Sequence, residues 1–486
     1  MSETKRPITS PITGAAMAHP GAVGLVGDVA WSYAAMSRQI KRYIEFFQGL
    51  NFATGDRIMV IASPSGKFCI ALWALFHNSS MVCPVNPAFP KRVLEDLVDR
   101  LRPACILYDG SEEEQALGIA ARRIAMSDLP GLADGSGNTK PLPLLDSMAH
   151  ATAICTSGSS GTPKIAVHTL DNHLYAAGRA NANLPLVPGD VWLLSLPLYH
   201  VSGMSLVFRC AQAGATLALP EPGAALEEEL ARLGATHVSL VPTQLSRLLA
   251  SDRGVEVLRD MKGVLLGGAS AEDTLIQRAW EAQIPLVRSY GMTETSAQLC
   301  ATKPGAPLAD LYSSGRPFDP DSLRIAEDGV IEVRGSTIFA GYYQTGGGVI
   351  RPETGDGWFR TGDRGCFDEE GRLHVQGRTD TMFVSGGENV YPEEIERVLK
   401  GMPGVEEAVV VAVPDPEYGS LPAAFIRWVG SVPLEEAALR ARLLSELPRY
   451  KMPRAFIPWP ENAPNGIKPD RAYLGALAAK QAAADA

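Results

Sequence analysis

No apolar run in this chain is long enough to cross a bilayer. The longest, Phe68 to Phe76, covers nine residues, where a spanning helix needs about twenty. The opening stretch MSETKRPITSPITGAAMAHPG lacks the continuous apolar centre of a signal peptide. Cysteine is sparse: seven residues, at 69, 83, 105, 155, 210, 300 and 366, with no C-x-x-C pair. That excludes a zinc ribbon and a disulfide framework, and a soluble protein of the reducing cytoplasm is the expectation. A basic excess is lacking too. With 44 Lys and Arg against 54 Asp and Glu, the net charge of −10 argues against a nucleic acid held on a general basic surface. A small molecule is the expected partner, and a homodimer is left open. Internal repeats are absent.

What is present is length and apolar content. At 486 residues, 46% of them hydrophobic, the chain exceeds what one core usually supports, so two or more domains are expected. Residues 1 to 150 alternate between helix and strand: Tyr33 to Leu50 has helical spacing, Arg57 to Ala62 is a β-branched run, and Cys69 to Phe76 is an apolar helix. Met81 to Val85 and Ala104 to Tyr108 continue the series. After residue 190 come strands at Val191 to Leu196, Ala215 to Leu219, Thr236 to Val241 and Gly263 to Leu266, with helices at Ser205 to Ala213 and Thr243 to Ala250. Such alternation implies mostly parallel sheets with helices on their faces. Leu323 to Ile325, Val330 to Val333 and Leu373 to Val375 then look like short strands. A compact terminal unit follows: helix Pro392 to Leu399, strands Ala408 to Val413 and Ala423 to Trp428, helix Leu434 to Glu446. The expected fold is α/β, with the domain boundary near Asp380.

The stretch ICTSGSSGTPKIAVHT, from Ile154 to Thr169, is suited to phosphate oxygens. Gly158 and Gly161 let backbone approach a ligand, while Thr156, Ser157, Ser159, Ser160 and Thr162 offer hydroxyls and successive N–H groups form an anion-binding concavity. Lys164 adds a charge. This is no Walker loop, because Pro163 stands where that motif needs its second glycine and Ile165 follows the lysine. Elsewhere, Tyr290-Gly291-Met292-Thr293-Glu294 combines a ring able to stack on adenine, a hydroxyl for an α-phosphate and a carboxylate that a magnesium ion between phosphates would want. Gly267-Gly268-Ala269 would let a nucleotide lie against backbone.

Read together, TSGSSGTPK (156 to 164), YGMTE (290 to 294), RTGD (360 to 363), GRTD (377 to 380), SGGENVYPEEIE (385 to 396) and NGIKPDR (465 to 471) resemble the adenylate-forming superfamily of acyl-CoA synthetases, peptide-synthetase adenylation domains and luciferases. The resemblance spans roughly residues 20 to 475. It implies a large N-terminal domain, residues 1 to 379, with a small β-barrel-like subdomain at about 320 to 376, and a small mobile C-terminal domain, 380 to 486, hinged at Asp380. It implies that a carboxylate attacks the α-phosphate of ATP with magnesium present, and that the thiol of coenzyme A then displaces AMP. Asp363 resembles the aspartate that accepts from the ribose hydroxyls, and Arg378 a nucleotide contact. Lys468 resembles the mobile lysine that meets the developing charge only in the reactive state. Here one residue, Ile467, separates Gly466 from that lysine, whereas the family usually places them side by side. Rotation about Asp380 would withdraw Lys468 and present Ser385, Gly386 and Gly387 to the thiol tunnel.

The acid is sought in SLPLYHVSGMSLVFRCAQAGATL (195 to 217) and THVSLVPTQLSRLL (236 to 249), which are similar to the o-succinylbenzoate:CoA ligase branch of menaquinone biosynthesis. That acid carries a second carboxylate, and in an apolar pocket a charge of this kind needs a cation. Arg247 is the first candidate and Arg209 the second, with Gly268 beside the acid. His200 resembles the residue that orients the reacting carboxyl or gates the tunnel. Another aryl- or alkyl-acid ligase, a stand-alone enzyme loading a carrier protein, and a non-catalytic adenylate-binding protein are the competing readings.

Overall fold

The computed structural model describes residues 6–89, 91–109, 122–131, 141–156, 163–269, 271–352, 354, 356–379, 381–386, 388–415, 418–430, 434–463 and 469–484. Two large sheets carry most of the chain. In one, Arg57–Ile61 lies between Met81–Pro84 and Cys105–Tyr108, all parallel, with Arg122–Ala125 outermost. Beyond Met81–Pro84 come His150–Thr156, Lys164–Thr169, Gly341–Tyr343 and Val349–Ile350. The other sheet is parallel through Val23–Val26, Thr216–Ala218, Val191–Leu193, His237–Leu240, Gly263–Leu266 and Leu286–Tyr290, and ends in antiparallel edge strands.

Strand residues alternate faces, and both faces of the Arg57–Ile61 strand are covered. Ile58 and Val60 enter one core while Met59 and Ile61 enter another. This explains an uninterrupted apolar run where a solvent-facing strand would alternate. The larger core joins the two sheets through helices Tyr33–Gly49, Gly66–His77, Leu170–Asn183 and Val201–Ala213. Trp73 sits inside it, edge-on to Phe76 and Phe208 at ring separations of 5.8 and 5.6 Å; truncating such a residue to alanine costs about 3–5 kcal/mol. Two of these helices start where serines cap them: Ser32 Oγ accepts from the Ala35 N–H and Ser65 Oγ from the Phe68 N–H.

The strands Leu323–Ile325, Val330–Val333, Phe359–Phe367 and Leu373–Arg378 form an antiparallel sheet in that order. Its outer strands do not pair among the described residues, so the barrel-like expectation becomes an open four-stranded sheet. Past residue 383 the chain has cores of its own, around Ile395, Val410 and Leu443 and around Val411, Phe425 and Leu474. Helix Pro392–Lys400 packs beside the hairpin of Val405–Asp415 and Gly419–Trp428. No helix among the described residues is long and apolar enough to cross a membrane.

Candidate active site

The glycine- and hydroxyl-rich turn joins two strands that pair antiparallel, with Thr156 directly opposite Lys164. Ser157, Gly158, Ser159, Ser160, Gly161 and Thr162 lie outside the described residues. Lys164 is exposed, and its ammonium lies 5.1 Å from the ring centre of Tyr342 on the neighbouring strand. The Tyr342 hydroxyl in turn donates to Glu294 Oε1 at 2.7 Å. Burial and the Glu294 charge both push the Tyr342 phenol up, so it stays a donor. Glu294 is 6% exposed. Lysine, phenol and carboxylate thus form one line from the turn to Glu294.

Thr293 and Glu294 belong to a single 3-10 turn after the strand Leu286–Tyr290. Gly291 must be glycine there, because a Cβ would fall 1.6 Å from the Ala297 carbonyl oxygen. Ser296 and Ala297 close the turn with φ of 55° and 103°, backbone that side chains seldom adopt. From the opposite sheet, the imidazole of buried His168 donates through Nε2 to the Thr293 carbonyl at 2.7 Å.

At the far end of this turn, Tyr290 donates its hydroxyl to Asp363 Oδ2 at 2.7 Å, while Arg378 Nη1 donates to Asp363 Oδ1 at 3.1 Å. Burial above all, then Asp363, raises the Tyr290 phenol well beyond its ordinary range. Asp363 and Arg378 face each other across paired strands. Gly267 sits under Ser289 Oγ, 2.8 Å from where a Cβ would be, and Gly268 has φ +80° against Val241. With exposed Ala269 they form a narrow backbone ledge at the end of the strand Gly263–Leu266.

The acid-side residues divide. His200 is exposed at the start of the helix Val201–Ala213, tilted against Tyr199 at 4.8 Å. Arg209, on the same helix, is 2% exposed and directs Nε to Asn181 Oδ1, Nη1 to Gln298 Oε1 and Nη2 to the Ala180 and Leu184 carbonyls. It also lies over Trp192 at 4.3 Å, and burial lowers it to about 10. Arg247 corrects the sequence expectation. Its side chain is 71% exposed and donates to Glu406 at 3.1 Å, so it is a surface arginine paired with the C-terminal unit.

In the C-terminal unit, Ser385 is buried at the tip of the hairpin Phe383–Ser385 and Glu388–Val390. Gly386 has φ +58° and lies under the Tyr418 ring. Asp380, Gly387 and Lys468 lie outside the described residues. Tyr342, His168, Thr152 and Tyr418 escaped the sequence reading, since each meets its partner outside its own strand or turn. Only the glycine before Tyr342 and Tyr343 offered a signal: Gly341, at φ +143°, leaves no room for a Cβ beside Ile350.

Residues 13–343 match the AMP-binding enzyme family and residues 394–464 the AMP-binding enzyme C-terminal domain. The chain is 35% identical over 451 residues to a 2-succinylbenzoate–CoA ligase of Salmonella typhimurium, covering 92% of this chain and 93% of that one. Among solved structures it is similar to o-succinylbenzoate CoA synthetase (MenE) from Bacillus subtilis in complex with the acyl-adenylate intermediate OSB-AMP, at 27% identity and a TM-score of 0.85 over 96% of this chain and 98% of that one. The same Bacillus subtilis enzyme in complex with ATP and magnesium ion aligns at 27% identity and 0.82, over 95% and 97%.

Proposed function

The chain belongs to the AMP-binding enzyme family, and from that premise we propose that it is an AMP-forming acid:CoA ligase whose acid is 2-succinylbenzoate. The observation that carries this reading is the line from Lys164 through Tyr342 to Glu294, which joins the phosphate turn to the turn of Thr293. In the first half-reaction the succinyl carboxylate attacks the α-phosphorus of ATP and pyrophosphate leaves. In the second, the thiol of coenzyme A attacks the acyl carbonyl and AMP leaves.

Each residue has work suited to its surroundings. Lys164 and the turn before it bind the phosphates, and the Thr293 hydroxyl orients the α-phosphate. Asp363, held by Tyr290 and Arg378, accepts from the ribose hydroxyls. The ledge Gly267-Gly268-Ala269 takes the nucleotide edge-on. No cluster of three or more His, Cys, Asp or Glu among the described residues would hold a metal alone. Glu294 is the carboxylate that would hold a magnesium ion beside the phosphates. Such an ion supplies charge neutralisation at the phosphates. His200 orients the reacting carboxyl. Arg209, whose Nη1 reaches Gln298 beside the turn, is the stronger of the two arginines for the second carboxylate, because it is the buried one. Lys468 completes the charge in adenylation, and rotation about Asp380 exchanges it for the Ser385-Gly386-Gly387 loop. We place it in the cytoplasm, and sedimentation velocity tells whether it forms the homodimer that the sequence leaves open.

The test is exchange of labelled pyrophosphate into ATP with 2-succinylbenzoate, benzoate, cinnamate and fatty acids, followed by CoA-thioester formation. The succinylbenzoate arm is expected to lead in both. A lead by another acid removes this substrate, and silence across the panel removes the ligase reading.

A further inference from the structure

Behind the turn of Thr293 and Glu294 lies a buried chain of polar groups whose direction follows from chemistry. A carbonyl only accepts, so the proton of neutral His168 sits on Nε2, where it meets Thr293 O at 2.7 Å. Burial lowers His168 to about 4, which keeps it neutral. Its Nδ1 is then an acceptor, and Thr152 Oγ at 3.3 Å is the donor that meets it. Having spent its one proton, that hydroxyl accepts from His173 Nε2 at 2.7 Å. His173 is left with a bare lone pair on Nδ1, and Nδ1 is the ring atom that has no partner. The alternative directions would bury an N–H with nothing to accept it, which is the costlier outcome. His173 is itself held flat on Phe208, 4.5 Å away and 5° from parallel.

We propose that His168 is a positioning residue: as last donor of the relay His173 to Thr152 to His168, it fixes the peptide plane between Thr293 and Glu294 relative to the hairpin that carries Thr156 and Lys164. That peptide is rigid, so holding its oxygen sets both the Thr293 hydroxyl and the Glu294 carboxylate. The relay begins on the helix Leu170–Asn183, crosses the paired strands His150–Thr156 and Lys164–Thr169, and ends on the turn. It therefore links the two phosphate-facing elements without touching a ligand. The turn depends on outside support because two of its residues have positive φ and are not glycine. This inference rests on the ligase reading for the roles of Thr293 and Glu294.

The test compares His168→Phe, which keeps the ring and loses the donor, His168→Gln, which keeps an N–H of similar reach, and Thr152→Val, which keeps shape and frees the tautomer. The Kd for ATP with magnesium, read by calorimetry, is expected to rise about tenfold in His168→Phe and severalfold in Thr152→Val, and to return within threefold of the parent in His168→Gln. The adenylation rate should follow the same order, while thioester formation from supplied acyl-adenylate changes less than twofold. In the parent protein, 15N-histidine NMR at neutral pH should show His168 protonated on Nε2 alone. A protonated Nδ1 overturns the proposal, as does a folded His168→Phe with unaltered nucleotide binding and adenylation. If His168→Phe does not fold, Thr152→Val and the parent tautomer decide. Silence of the parent enzyme with every acid strikes the ligase reading instead, and leaves the tautomer and calorimetry to judge the relay.

Discussion

Tyr342 is the side chain on which the phosphate turn and the acidic turn depend together, since its face meets Lys164 and its hydroxyl meets Glu294. Tyr342→Phe keeps the ring under Lys164 and removes one hydrogen bond from a buried carboxylate, a bond of a kind worth about 1.5–3 kcal/mol. Pyrophosphate exchange is expected to slow by roughly ten- to a hundredfold; a rate within twofold of the parent would detach Tyr342 from the site. Buried imidazoles set a second expectation. Burial pushes His77, His168 and His237 down to about 4, and His173 lies below its ordinary value through burial and His168. As pH falls below the ordinary value of 6.5, the unfolded chain takes protons that the folded chain refuses until about pH 4. Stability from these groups is therefore full above 6.5 and lost toward 4, on the order of 3 kcal/mol for a fully buried ring. Glu272, raised by burial to about 7, and Glu393, also raised by burial, run the opposite way but are two groups against four. The melting temperature should drop steadily from pH 7 to 4.5, and a rise on acidification would contradict this account.

At the scale of elements, the turn of YGMTE shows how far local pattern reaches. Gly291→Ala drives a methyl into the Ala297 carbonyl, so the turn is expected to open, with exchange lost and the melting temperature lowered by several degrees. Full exchange activity in that variant would mean the turn is not required. The glycine was legible as part of a motif; the reason it must be glycine was not, because Ala297 meets it only in the folded turn. Strands Gly263–Leu266, Leu323–Ile325 and Val330–Val333 were read to the residue, since each is a compact apolar run between turn signals. Helix Gly66–His77 runs farther than the apolar run Cys69 to Phe76 because Ser65 caps it earlier. The hairpin flanking the phosphate turn went unread, as its short strands earn their regularity by pairing with each other and with the strand Gly341–Tyr343. Site contacts divided the same way. Motif residues Glu294, Asp363 and Arg378 stood out by type and spacing, whereas His168 and Tyr342 lie 125 and 48 residues from the turn partners they bond. Arg247 was misplaced for the related reason that its acid, Glu406, comes 159 residues later.

For the whole molecule, the question is what holds the two units in the orientation seen. Arg247 reaches Glu406, and Glu272 lies near Lys400 and Glu407. The ion pair is solvent-exposed, so it is worth about 0–1 kcal/mol and can bias the orientation without locking it. That weakness suits the proposed rotation about Asp380, in which one site serves two reactions whose attacking groups differ. Arg247→Glu places like charges opposite each other and should change the ratio of the two half-reaction rates by no more than about fivefold at low salt. The effect should fade at 1 M salt, where screening acts within about 3 Å, and Arg247→Glu combined with Glu406→Arg should restore the parent ratio. Lys468→Ala is expected to differ in kind: adenylation is lost while supplied acyl-adenylate still yields thioester. Asp380→Pro should do the reverse, sparing adenylation and slowing thiolation, because proline fixes φ where the backbone must turn. Single-turnover measurement of each half-reaction separates these outcomes. Equal loss of both steps in Lys468→Ala, or unchanged kinetics of both in Asp380→Pro, would show that one fixed arrangement of the units performs the whole reaction.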